Sequence, residues 1–446
     1  MLRLVKNTAP LLLAVLVVCP AEAAQEPNAA QAEEIRTLKA DVASLRAELD
    51  ALKRLVAERP APPAAEPAAP QIDPRVEMLQ TQIAELAQSK VESTTKFPVR
   101  VFGTIHMHGF ANSGEANWMD VPNLVQPRPG DGRTGTFSAT IRQTRLGFTA
   151  DGPHIGRART SANVALDFFN GIPGFQTGQV MNLPRLLVGF ARIETDRLAF
   201  QAGQDHVILA PRDPSSLAAF AFPLMFRSGN LYLRAPQARV ELALTPSIRL
   251  TQGVVAPIGG DVPGEDYRFV PPPLSGERSR HPAFQAHLGY ASDPAPDARR
   301  RIAVGVSGHF GRERRSAGVT ESWAGAIDFA LRRDRIGVAG EVFAGDNIDA
   351  FGGASGLDAR ATGGWAELQL FPTDRLSAHA GAGTDRLRGD VRGLPRRRNR
   401  TAYGNIKYAL TPEVDAGFEY MWLGTLPGTG DERRNHHFDW VLTFRF

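Results

Sequence analysis

From residue 97 to residue 446 of this 446-residue chain, apolar side chains recur at every second position, through one segment after another. In 157–169, Ala158, Thr160, Ala162, Val164, Leu166 and Phe168 share one face, and Arg157, Arg159, Ser161, Asn163 and Asp167 share the other. The same split sets Val414, Ala416, Phe418, Tyr420 and Trp422 against Asp415, Gly417 and Glu419, and Ile336, Val338, Val342 and Ala344 against Glu341. A period of two belongs to strands, whose successive side chains point to opposite faces. Crossing a bilayer as a helix takes about 20 apolar residues, which no segment here supplies. A strand in a closed barrel needs only about 9 to 11 residues, apolar at alternate positions, because its backbone groups are satisfied by neighbouring strands.

The connections between the alternating segments also alternate in length. Short turns fall at 151–155, 194–197, 245–247, 333–334, 372–374 and 411–413, and long glycine-rich ones at 111–133, 170–182, 257–280, 346–361 and 385–398. That is the layout of a transmembrane barrel. The expected fold is all-β, a transmembrane antiparallel barrel of about 16 strands, wide enough to enclose an aqueous channel. The polar second faces and the last strand set aside a soluble sandwich or propeller. One stretch changes phase: Phe137, Ala139 and Ile141 fall on one parity, and Leu146, Phe148 and Ala150 on the other. A bulge at 142–144 reconciles them, and the pattern alone does not choose which of Arg142 and Arg145 faces inward.

The start of the chain reads as an address. Arg3 and Lys6 precede an apolar run at 9–18, and Ala21-Glu22-Ala23 forms an A-x-A cleavage site, so 1–23 is an expected signal peptide. The apolar run is too short for a membrane anchor. Val18 before Cys19 disfavours lipidation, and Cys19, the only cysteine, would leave with the signal. The formal charge of +4 falls to +3 without Arg3, Lys6 and Glu22, too small an excess for a nucleic-acid binder.

In 24–59, Ile35, Leu38, Val42, Leu45, Leu49, Leu52 and Val56 form a heptad seam about 33 Å long, expected to associate with copies of itself rather than stand as a lone amphipathic helix. Pro60, Pro62, Pro63, Pro67 and Pro70 make 60–75 an extended linker. Val76, Leu79, Ile83 and Leu86 imply a short helix within 76–96, before the barrel at 97–446.

Catalytic motifs are missing: there is no G-x-S-x-G, P-loop, H-E-x-x-H or C-x-x-C. A non-enzyme without cofactor is expected, the alternative being a Ser/His pair drawn from distant strands, with His287 and His379 as candidates. His106 and His108 could share a metal or be merely solvated, and Asp346, Asn347 and Asp349 lack a complete calcium-loop spacing. The inward parity holds Arg157, Arg159, Arg185, Arg239 and Arg249. These either line a pore that attracts anions or pair with Asp167, Asp205, Glu241 and Glu341 to stiffen the wall. The connection 206–230, with Pro211, Pro214, Pro223 and an apolar run at 217–226, is expected to fold into the barrel and place Arg212, Asp213 and Arg227 at its narrowest point. The final strand, with Phe438, Trp440, Leu442, Phe444 and Phe446 on one face, resembles the signal by which outer-membrane assembly machinery recognises its clients.

The segments Arg142-Gln143-Thr144-Arg145-Leu146-Gly147-Phe148, Asp167-Phe168-Phe169, Gly203-Gln204-Asp205 and Gly363-Gly364-Trp365-Ala366-Glu367, in the order signal, coiled coil, linker, barrel, resemble the DcaP-like trimeric outer-membrane porin family. Gly340-Glu341-Val342-Phe343-Ala344-Gly345 and Gly417-Phe418-Glu419-Tyr420 are similar to porins more broadly, phosphate-selective ones included. The resemblance implies a homotrimer in the outer-membrane lipid that admits small anionic solutes such as dicarboxylates. The trimer rests on that resemblance, since Ile35, Val42 and Val56 with leucines at the other seam position favour two strands. The contrasting expectation is a closed barrel acting as a structural anchor whose coiled coil tethers the membrane to the cell wall.

Overall fold

The computed structural model describes residues 98–169, 183–257, 273–316, 318–353, 359–389, 391–392, 394 and 396–446. The expected signal peptide, coiled coil, linker and short helix, within 1–96, lie outside them. Alternating sequence becomes strand throughout: β1 (Val99–Asn112), β2 (Thr136–Thr140), β3 (Arg145–Asp151), β4 (Arg159–Asp167), β5 (Arg185–Glu194), β6 (Leu198–His206), β7 (Arg234–Ala243), β8 (Ile248–Val255) and β9 (Ala283–Ala291). The second half continues with β10 (Arg300–Arg315), β11 (Gly318–Arg333), β12 (Ile336–Asp346), β13 (Arg360–Leu370), β14 (Leu376–Arg388), β15 (Arg398–Ala409), β16 (Val414–Leu426) and β17 (Arg433–Arg445). Among the described residues no helix is long and apolar enough to cross a membrane.

From β3 onward each strand pairs antiparallel with the next, β2 and β3 both pair with β1, and β1 pairs with β17 from Thr104↔Arg445 to Asn112↔His437, which closes the cylinder. Seventeen strand segments make sixteen staves, because β2 lies against 108–112 of β1 while β3 lies against 99–104 of the same strand. The interruption between them is the expected break, where Thr144 N donates to Ile141 O at 2.9 Å. It turns both arginines inward: Arg142 binds Asp120 and Arg145 binds the carbonyl of Phe220. One connection departs from the expected alternation. β10 and β11 each run 16 residues and are joined by 316–317 alone, so residues that would form a loop are used in the ladder instead.

The outward parity carries the exposed apolar residues, among them Val101, Ile105, Met107, Ile327, Val342 and Leu442. A continuous apolar exterior of this kind is stable only against lipid or other apolar surface. Phe446 completes the seam with reciprocal backbone bonds to Gly103, 3.0 and 3.1 Å, and Trp440 and Phe444 stand exposed on the same outer face.

Candidate functional site

The inward parity of a sixteen-stave barrel holds too few side chains to fill it, so what enters the lumen decides what can pass. The connection 207–233 lies against inward-facing side chains of the wall. A chain segment buried there carries backbone donors that need acceptors, and the wall supplies them around its circumference. Gln285 on β9 accepts from Ile208 N and Leu209 N at 2.8 and 3.0 Å, and Ser307 on β10 from Ala210 N at 3.1 Å. Glu367 on β13 accepts from Ser215 N at 2.8 Å, and Glu419 on β16 from the Ser216 hydroxyl at 2.9 and 3.0 Å. Gln143, in the β2–β3 break, accepts from Phe220 N and Ala221 N at 2.7 and 2.8 Å. Gln143, Gln285, Ser307, Glu367 and Glu419 of the wall are therefore anchors of this segment.

Glycines make room where the segment meets the wall. Gly229 has φ +121 and lies directly on the backbone of Gly364, and Leu217 occupies the place a side chain at Gly417 would take. On the β1 side the lumen is packed: Trp118 stacks on Phe222 at 4.6 Å, Arg142 lies 3.7 Å over the Phe169 ring, and a cavity of only about 20 Å³ remains. Open space lies on the far side of the segment, flanking Pro211. One cavity of about 310 Å³ is lined by Arg212, Asp213, Arg301, Arg332 and Glu367, and another of about 250 Å³ by Asp205, His206, Arg239, Glu241 and His287.

The five wall arginines take up different positions. Arg157 lies exposed in the turn before β4 rather than on the strand, because β4 begins at Arg159. Arg159 meets Glu194 at 3.1 Å, Arg185 grips Asp167 with two bonds of 3.0 and 2.6 Å, Arg239 meets Asp205 at 3.0 Å, and Arg249 meets Glu241 at 3.2 Å. Glu341 makes no side-chain ion pair among the described residues; it is fully buried beside Asp328 on the neighbouring strand and faces the Arg212 backbone. Of the inward segment, Arg212 bonds Asp328 at 2.5 Å, Asp213 accepts from Asn230 at 3.1 Å, and Arg227 lies 5.8 Å over Trp118 and reaches Asn123 at 3.3 Å. Arg212 and Asp213 thus share the larger cavity, while Arg227 stands apart on the packed side.

Three arginines were not singled out by the sequence pattern. Arg192 holds Glu241 through two bonds of 2.9 Å. A register shift between Ala165 and Leu166 turns both it and Arg185 inward, although they differ in parity. Arg301 and Arg332 sit in runs of consecutive arginines, where alternation cannot tell which faces in. They are direct register partners on β10 and β11, and their bonds go to main-chain carbonyls: Arg301 to Asp293 at 3.1 Å, Arg332 to Asp334 at 3.4 Å and to Asp297 at 3.3 Å.

The other candidate chemistries are tied up in structure. His106 and His108 are fully buried with rings 5.3 Å apart, and His108 binds Asp439 at 3.0 Å across the seam. No group of three metal-ligating side chains occurs among the described residues. Asp346 is bound by Arg360 and by the Trp323 indole, not arrayed around an ion. His287 binds Asp328 at 2.9 Å and His379 binds Asn405 at 2.8 Å. A Ser/His contact exists at His309 and Ser322, 2.7 Å, but both are buried, with Gln285 on the other ring nitrogen.

No protein-family model matches the chain, and no curated protein matches it significantly. Among solved structures the barrel is similar to the outer-membrane channel DcaP of Acinetobacter baumannii, with a TM-score of 0.62 and 15% identity over 79% of this chain and 99% of that one. It is also similar to the anion-selective porin from Comamonas acidovorans, with a TM-score of 0.54 and 9% identity over 79% of this chain and 100% of that one. The described chain is a closed, all-antiparallel sixteen-stave β-barrel with the fold of outer-membrane channels, and the resemblance to the DcaP type is carried by its whole architecture.

Proposed function

We propose that this chain is an outer-membrane diffusion channel for small anionic solutes of the dicarboxylate type, exported by its N-terminal signal and assembled as a homotrimer. The observation that carries the anionic reading is Arg301 opposite Arg332, lining one cavity with Arg212. Like charges directly opposed on neighbouring strands destabilise a sheet. The arrangement becomes favourable when an anion lies between them, since guanidinium forks match carboxylates in geometry and the cavity walls focus the field. A linear dicarboxylate could engage this cluster at one end and the neighbouring space by Arg239 at the other. The fold of a DcaP channel and of an anion-selective porin supports the same reading.

The test is a bi-ionic measurement in a planar bilayer. Anion preference at low salt that fades towards about 1 M, where screening acts within about 3 Å, is the expected result. A cation-preferring channel would overturn the anionic assignment. The continuous anchoring of segment 207–233 favours a second reading, a closed barrel serving as a structural anchor with the coiled coil as tether. Absence of any conductance would establish that one instead.

A further inference from the structure

The outer face of the barrel changes character at the long-connection end of β10–β14. Arg360 on β13 and Arg388 on β14 are register partners that both point outward, and Arg386 follows opposite Thr362. On β10, Arg312 and Arg314 take the corresponding outward positions. Two carboxylates face these five arginines: Asp346, which receives Arg360 at 3.2 Å and the Trp323 indole at 2.9 Å, and Glu321, 3.8 Å from Arg312. Arg314, Arg386 and Arg388 have no ion-pair partner among the described residues. An open groove of about 550 Å³ runs between Trp323, Asp346, Arg360 and Arg388.

The arginines lie at a definite height. From Arg360 to Leu370 is about 33 Å of strand, or about 25 Å along the axis at a tilt near 40°, which is the height of a lipid-facing band. Beneath the groove the outward positions are apolar and mostly small: Val342, Ala366, Leu368, Ala380 and Ala382 are all exposed. The opposite arc differs. At the same end β1 to β9 present Ala111, Phe137, Leu186 and Phe284 outward.

We propose that the groove between β11 and β14 docks the phosphorylated headgroup of an outer-leaflet lipid, whose acyl chains lie on the smooth faces of β13 and β14. This rests on the reading of the barrel as an outer-membrane protein. Uncompensated arginines repel one another; a headgroup with net-negative phosphates accepts paired guanidinium hydrogen bonds and neutralises them, whereas a zwitterionic headgroup brings its own cation and an uncharged one brings no anion. The indole of Trp323 sits where aromatic residues favour the interface. The apolar surface continuous with the groove selects a lipid over a free anion.

The experiment titrates the purified full-length protein in nonionic detergent with a diphosphorylated, acylated glucosamine-disaccharide lipid and reads retention by native mass spectrometry. The Arg386→Gln/Arg388→Gln variant removes charges that brace no carboxylate, and is expected to hold the lipid at least about tenfold more weakly. The wild-type protein should lose a similar factor when the same lipid lacks its phosphates. Equal retention by wild type and variant, equal retention of the phosphate-free lipid, or full displacement by millimolar inorganic phosphate would each overturn the proposal. Heat-modifiable mobility reports folding, and Arg314→Gln supplies a second, milder variant if the first does not insert. Conductance is recorded on the same samples: because these side chains face away from the lumen, it should not change. A wild-type protein without conductance would remove the channel reading and leave the lipid result to stand on its own.

Discussion

Some arginines inside this barrel are held by buried carboxylates and others line open space without such a partner, and the two kinds should respond differently to removal. Arg185 grips Asp167, which is almost wholly buried. Arg185→Ala would strand that carboxylate, at a cost of about 3–5 kcal/mol. The expected outcome is a lower temperature for the heat-modifiable mobility shift with an unchanged anion-to-cation permeability ratio. Arg301 and Arg332 bond main-chain carbonyls, Arg332 also lying 4.0 Å over the Phe371 ring, and neither makes an ion pair among the described residues, so the double alanine variant should insert normally. Its reversal potential should move towards cations, by about threefold or more in permeability ratio at low salt. If Arg185→Ala shifts selectivity and the double variant does not, the assignment of roles is inverted. Alternation located the arginines that stand alone in a strand, such as Arg239 and Arg249, but could not resolve runs such as 299–301, where neighbouring residues compete for one inward position.

At the scale of elements, the strands were legible because most of them bury one parity and expose the other, and a local phase change reported the break between β2 and β3. The sequence also marked 206–230 as a segment with its own apolar face. It could not say which wall residues would receive that segment, because Gln143, Gln285, Glu367 and Glu419 look like any water-facing polar residues until a backbone donor lies against them. Gln143→Ala removes the acceptor of two buried amides and should cost about 1–3 kcal/mol locally. The segment then loosens while the barrel, held by its ladders, remains. Larger and noisier single-channel conductance with unchanged heat-modifiable mobility is the expected record. Replacing 213–230 by a short Gly/Ser linker should raise conductance further; a conductance equal to the wild type would show that the segment does not limit the path.

At the scale of the whole molecule, the described strands from β1 to β17 close a cylinder among themselves. Deleting 33–59 should therefore leave a barrel with full β-structure in detergent, by circular dichroism, with a weaker oligomer by native mass spectrometry. Loss of β-structure would make the expected coiled coil part of the barrel's fold. Removing Phe446 takes away two backbone bonds at the seam, a small share of a sheet this large. Its effect should fall on assembly: the truncated chain is expected to accumulate in the periplasm, and whatever inserts should keep a near-normal mobility shift.

The seam between β1 and β17 also sets a kinetic condition. His108 meets Asp439 across 331 residues of sequence, so the ladder that closes the cylinder joins parts of the chain far apart in sequence. Contacts of such separation form slowly. Until β17 docks, β1 and β16 each present a long row of unsatisfied amides and carbonyls, and such edges pair readily with other chains. A chain nicked or stalled before residue 433 would therefore be a template for aggregation.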